Sequence, residues 1–206
     1  MIDMADTNPN APRQLQPASV KVWDLFVRAF HWALVVAFAT AWYSGGIWDN
    51  PHLVAGYVVL ALVVARLAWG FVGSRYARFS DFIYGPRVIL RYAADMLHMR
   101  APRYLGHNPL GGAMVIALLA TLLIICITGV MMTTDAYWGV SWVDDLHGTA
   151  SSVALGLVAL HVGGVIFASI EHGENLVRAM INGMKRGELI PYHRGKPSSE
   201  SSRSNR

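Results

Sequence analysis

Four apolar runs, at roughly residues 23 to 44, 53 to 72, 110 to 132 and 146 to 170, carry almost no charge. Each is about the ~20 residues that an α-helix needs to cross a bilayer. The runs are continuous rather than alternating, and in hydrocarbon a helix satisfies its own backbone hydrogen bonds. The chain is therefore expected to be an all-α membrane protein, a four-helix up-down bundle and not a barrel. Composition argues against a water-soluble enzyme, because only 15% of the residues are charged, where soluble domains carry about a quarter. The single cysteine, Cys126, lies inside the third run. An intrachain disulfide, a zinc ribbon, a Cys-ligated iron-sulfur cluster and a C-x-x-C-H haem attachment are all excluded from this chain alone.

The net charge of +4 reflects topology rather than nucleic-acid binding. The N-terminal tail holds Arg13, Lys21 and Arg28. Between the second and third runs lie Arg75, Arg78, Arg87, Arg91, Arg100 and Arg103, and seven more basic residues follow the fourth run. The other two connections have no Lys or Arg and carry Asp49, Asp135, Asp144 and Asp145. The positive-inside rule then places both termini and the middle connection in the cytoplasm, with two short acidic, aromatic loops on the outer side of a bacterial inner membrane. Ala39-Thr40-Ala41 resembles a signal cleavage site, but the preceding tail lacks a compact basic region, and the first run is read as retained.

Residues 1–20 and 186–206 read as disordered cytoplasmic tails flanking one bundle over 21–185. Asn50-Pro51 and Asn108-Pro109 pair a capping residue with a proline at the first helical position, so helices are expected to open near His52 and at Pro109. Pro86 to Met99 places Val88, Ile89, Tyr92, Met96 and Met99 near one side and Arg87, Arg91 and Asp95 near another. An amphipathic helix is expected there, lying on the membrane surface or packed on the bundle. Trp42, Tyr43, Trp48, Tyr137, Trp138 and Trp142 read as an interfacial belt.

Four of the eight histidines sit at or within the apolar runs: His31, His52, His147 and His161. Ionisable groups in such places are rare and usually functional. His147 and His161 are 14 residues apart. At ~100° and ~1.5 Å per residue they share a helix face at two depths, ~21 Å apart. Depth matching pairs His52 with His147 on the outer side and His31 with His161 on the inner side. Two imidazoles on facing bundle helices suit the axial positions of a haem iron, and the arithmetic predicts two noncovalent b-type haems. Any one of these histidines can equally be bonded to nearby backbone. A zinc site is the weaker rival, since each depth offers two histidines and no intramembrane Cys or carboxylate completes a tetrahedral set.

Arg66 follows His52 by 14 residues and shares its face, and Arg28 precedes His31 by one turn; either can pair with a haem propionate, or Arg66 can snorkel to headgroups. Gly56, Gly148, Gly156, Gly163 and Gly164 can open space for porphyrin edges or serve ordinary helix packing. His107, at the mouth of the third helix, is a candidate for exchanging protons with a quinone near neutral pH, or simply a helix-start residue.

Taken together, Arg28-Ala29-Phe30-His31-Trp32, His52 to Gly56, Arg66 to Gly73, Tyr76 to Phe82, Gly106 to Gly112, and Leu146-His147-Gly148 with His161 resemble the bacterial cytochrome b561 family. They also resemble the related b-type cytochrome subunit of nickel-iron hydrogenases. The resemblance covers roughly residues 20 to 185. It implies a four-helix di-haem protein with His31, His52, His147 and His161 as axial ligands, quinone as a membrane partner, and a soluble or membrane-attached redox protein as the other. The expected function is electron transfer between the quinone pool and a periplasmic partner, for which Asp144 and Asp145 can attract a basic c-type cytochrome. Whether the chain is itself an enzyme stays open: a quinone-coupled oxidase of a small reductant such as superoxide, a hydrogenase-type subunit, a haem carrier, and a haem-free anchor or transporter are the alternatives.

Overall fold

The apolar runs become helices whose starts follow from local chemistry. In a computed structural model, described over residues 19–187, the order is β1 (Ser19–Lys21), α1 (Leu25–Ser44), α2 (Asp49–Val72), a 3-10 turn (Arg75–Ala77), α3 (Phe79–Phe82), α4 (Pro86–Leu97), α5 (Pro109–Met132), α6 (Ser141–Glu171), α7 (Leu176–Asn182) and β2 (Met184–Arg186). Helices α1, α2, α5 and α6 are each long and apolar enough to cross a membrane. Asn108 caps α5 as expected, its side chain accepting the Gly111 N–H at 2.7 Å ahead of Pro109. The second expected start is displaced. Helix α2 begins at Asp49, so Pro51 falls inside the first turn, where its missing N–H has no partner to lose. Helix α6 likewise begins at Ser141, more than a turn before its apolar run.

Helix α1 packs along α2, α5 along α6, and α2 joins the two hairpins through α5. Between α1, α2 and α5 lies a core of Ala37, Val59, Val63, Leu122 and Cys126. On α6 the buried positions are Val143, Ala150, Ala154 and Ala168, a stripe that also contains His147 and His161. The alanines bring the α6 backbone close to α5, the packing that works in lipid, where apolar burial alone gains nothing. Val36, Val64, Leu160, Ile166 and Ile170 point outward and are exposed, as lipid-facing side chains would be.

One end of the bundle carries a cap built from residues 19–24, 73–108 and 172–187; the other end is open. The six belt aromatics are exposed at the open end. In the cap, Ser19–Lys21 pairs antiparallel with Met184–Arg186. This two-stranded ribbon is a minor addition to the all-α bundle and takes in Ser19, Val20 and Arg186 from the edges of the expected tails; residues 1–18 and 188–206 lie outside the described ones. Gly183 makes the junction, with φ +80° and its carbonyl accepting the Val22 and Trp23 N–H groups at 2.9 and 3.1 Å. A Cβ there would lie 2.6 Å from the Trp23 carbonyl, so only glycine closes the ribbon.

Helix α4 packs on α5; its buried Tyr92 lies against Tyr104 and donates to the Pro102 carbonyl at 3.4 Å, while Arg87, Leu90, Arg91 and Leu97 stay exposed. Arg103 bridges Glu174 at 3.1 Å, tying the 98–108 segment to the residues after α6. Burial opposes the Glu174 charge, but the Arg186 N–H and Arg103 prevail and hold its carboxyl below the usual value.

Asp24 is the hub of the cap. It accepts the Val27 N–H at 2.8 Å as the α1 N-cap, the Trp69 indole N–H at 3.1 Å and the Ser74 hydroxyl. Burial raises its pKa, yet the hydrogen bonds from Ser74, Val27 and Trp69, with the Arg66 charge, outweigh it, and the net shift is downward. Stability contributed by the carboxylate is therefore full above the ordinary value and lost as pH falls through the lowered one. Asp24→Ala is expected to cost about 1–2 kcal/mol at neutral pH. In thermal melts of detergent-solubilised protein the gap between wild type and variant should narrow in acid; a constant gap would assign the loss to packing alone.

Candidate functional site

Four imidazoles from three membrane helices meet in two places. The ring centroids of His52, at the start of α2, and His147, in the second turn of α6, are 6.1 Å apart and their planes inclined at 70°. Those of His31 in α1 and His161 in α6 are 6.4 Å apart, inclined at 55°. These are the partners that depth matching pairs. They meet because the up-down topology puts α1 and α2 opposite α6, and because both α6 histidines fall in one stripe.

The open-end pair is held from behind. His52 Nδ1 is 2.8 Å from the Ala41 carbonyl oxygen, and His147 Nδ1 is 3.1 Å from the Ile125 carbonyl oxygen. A carbonyl only accepts, so both Nδ1 atoms carry the proton and both Nε2 lone pairs are free to ligate. Thr128 Oγ1 also lies 3.1 Å from His147 Nδ1. Gly129 leaves room for this ring, since a Cβ there would come within 3.2 Å of His147 Cε1. The cap-end pair is held differently: His31 Nδ1 is buried without a hydrogen-bond partner among the described residues, and the ring stands edge-on to Trp32.

The spacing suits a shared metal. Two imidazoles on one N–metal–N axis, with bonds of ~2 Å, have centroids ~6 Å apart. Among the described residues no other segment comes within 4 Å of where a Cβ of Gly56, Gly148, Gly156, Gly163 or Gly164 would stand, and α6 makes no packing against α1 or α2 comparable to its packing on α5. The donor chemistry and the open space fit a haem at each end. Among the described residues no three His, Cys, Asp or Glu side chains gather, so a tetrahedral zinc set lacks its further ligands.

The remaining candidates lie at the cap. Arg66 is buried, donates from Nη2 to the Ala77 carbonyl at 3.0 Å and lies 5.3 Å from the Phe79 ring centroid. Its Nη1 and the Nε of Arg28 are buried without partners among the described residues. Arg66 therefore turns into the cap instead of snorkelling past it. His107 is packed between the rings of Trp23 and Phe82, at 4.7 and 4.6 Å. Burial pushes its pKa down to about 3, with the charges of Arg66 and Lys185 adding to the effect. His107 is thus neutral at physiological pH, a correction to the expectation that it titrates near neutrality. Sequence reasoning missed Thr128 and the Ala41 and Ile125 carbonyls. A threonine in a spanning helix commonly bonds its own backbone, and nothing local distinguishes one that also meets a histidine from the next helix.

Comparison with known proteins adds the following. Residues 22–183 match the family described as prokaryotic cytochrome b561. The chain is 24% identical over 218 residues to a probable Ni/Fe-hydrogenase B-type cytochrome subunit of Rhizobium leguminosarum bv. viciae, an alignment covering 83% of this chain and 90% of that protein. It is 25% identical over 173 residues to a protein of the same description from Azotobacter vinelandii, covering 69% of this chain and 71% of the relative.

Proposed function

We propose, from the premise that this chain belongs to the prokaryotic cytochrome b561 family, that it carries electrons across the membrane through two noncovalent b-type haems. Membership makes it a multi-pass membrane b-type cytochrome of electron transfer. The further assignment is ours: His31 and His161 would hold the haem at the cap end, His52 and His147 the one at the open end. The observation that carries it is the pair of ring spacings, 6.4 and 6.1 Å, on facing helices.

Haem, when bound, supplies one-electron chemistry at its iron. The chain supplies the rest. The Ala41 and Ile125 carbonyls hold two imidazoles in the ligating tautomer, and the apolar helices keep the surroundings dry. Arg28 Nε and Arg66 Nη1 are assigned as donors to propionates, and neutral His107 as a hydrogen-bonding partner for a quinone headgroup. With the basic cap in the cytoplasm, as positive-inside charge favours, the open end faces the periplasm of a bacterial inner membrane. Quinone is the proposed membrane partner. A redox protein docks at the open end, where exposed Asp144 and Asp145 suit a basic c-type cytochrome. The descriptions of the relatives favour a second reading, the b-type subunit of a hydrogenase-like complex.

The test is an oxidised and dithionite-reduced absorption spectrum of detergent-purified protein, with pyridine haemochrome quantification. Two b haems per chain are expected. One would remove a pair from the assignment, and none under adequate haem supply would favour an anchor or transporter. Replacing Asp144 and Asp145 together with asparagine is expected to slow reduction by a basic cytochrome several-fold at low salt and to flatten its salt dependence; an unchanged dependence would sink the docking assignment.

A further inference from the structure

The geometry points to Thr128 as a positioning residue that makes the two histidine pairs electronically unequal. The inference rests on the reading that His52 and His147 hold a haem. Thr128 is 3% exposed, a buried hydroxyl inside a membrane span. Its proton is already committed: Oγ1 donates back along α5 to the Ile124 carbonyl at 2.8 Å, with the Ile125 carbonyl at 3.1 Å. A lone pair of Oγ1 is left facing His147 Nδ1 at 3.1 Å. Nδ1 is also 3.1 Å from the Ile125 oxygen, which only accepts, so Nδ1 is the donor in both contacts. One imidazole N–H is thus shared between a backbone carbonyl and a side chain.

This contact does two things. It fixes the plane of the His147 ring by adding a second acceptor beside Ile125, and it draws the Nδ1 proton outward. A ligating histidine whose far N–H is strongly bonded is a more basic ligand, which favours the oxidised, more positively charged iron. Out of water such bonds act strongly. The cap-end pair has no counterpart: His31 Nδ1 is buried and unpartnered among the described residues. Thr121, two turns earlier on α5, makes the same back-bond, to the Ala117 carbonyl at 2.9 Å, and bonds no histidine among the described residues, which provides an internal control.

The experiment is a spectroelectrochemical redox titration of the purified full chain that resolves the two haems, alongside low-temperature EPR of the ferric protein. Thr128→Val keeps the shape and removes the acceptor; Thr128→Ala removes it with less volume, Thr128→Ser retains it, and Thr121→Val changes a hydroxyl that touches no ligand. Val and Ala are expected to shift the reduction equilibrium of one haem about threefold to tenfold toward the reduced form, tenfold being ~59 mV for a one-electron couple. They should also move one of the two ferric EPR signals. Ser and Thr121→Val should behave as wild type. If Val does not fold, the comparison of Ala with Ser decides. Unshifted potentials in a fully loaded Val or Ala variant, equal shifts at both haems, or the same shift from Thr121→Val would overturn the inference and leave the haem assignment standing. Wild-type protein that binds no haem would overturn the assignment, and the inference with it.

Discussion

His161→Ala is expected to leave a folded protein with half its haem, and His31→Ala to remove the same half. Under the proposed assignment each ring of a pair is one of two ligands, so losing either would empty that site while the other, ~21 Å away along α6, would keep both of its ligands. His52→Ala and His147→Ala should remove the complementary half. Double variants sharpen the expectation through their lack of additivity. His31→Ala with His161→Ala should lose no more haem than either alone, whereas His31→Ala with His52→Ala should lose all of it. Haemochrome content against protein, with gel filtration to check folding, reads the result. If His31→Ala and His161→Ala removed spectroscopically different haems, the pairing would be wrong even with the total at two.

The second large effect is structural. A Cβ at Gly112 would lie 2.2 Å from the Phe82 carbonyl oxygen, a backbone atom with nowhere to retreat. Phe82 is itself buried, and its ring touches His107. Gly112→Ala therefore pushes the α3 segment off the first turn of α5 and is expected to cost about 3 kcal/mol, the upper end for overpacking. A clear fall in melting temperature checks it; an unchanged melt would mean that the cap can ride away from α5. Gly163→Ala is the contrasting case. Among the described residues no other segment lies within 4 Å of its added methyl, so the fold should tolerate it, and haem lost from that variant would locate the group filling the space.

Much of this arrangement is written in periodicity. The four spans follow from apolar runs of bilayer length, and the 14-residue interval between His147 and His161 sets their shared face before any packing is known. The partners follow because alternating helix directions turn sequence position into depth. What escapes is what depends on contact between distant segments. The ribbon joins residues more than 160 apart through three-residue strands too short to show an alternating pattern. The side chain of Arg66 turns into a cap whose acceptor, the Ala77 carbonyl, exists only once the 3-10 turn has folded over it. His107 titrates away from neutrality because Trp23 and Phe82, from two other segments, close around it. Helices α2 and α6 start ahead of their apolar runs for a simpler reason: polar residues such as Asp49 and Asp144 sit comfortably in a first helical turn, where the free N–H groups favour negative charge.

The placement of both His147 and His161 on the last long helix bears on biosynthesis. As the chain leaves the ribosome, His31 and His52 are inserted early, each presenting half of a pair to lipid. Neither pair exists until α6 has entered the bilayer beside α5. Under the proposed assignment, loading of either site would be deferred until α6 is made, and a chain interrupted after the third span would hold His31 and His52 but no completed site. Under the proposed assignment, completion of both sites would thus depend on the arrival of one segment, α6.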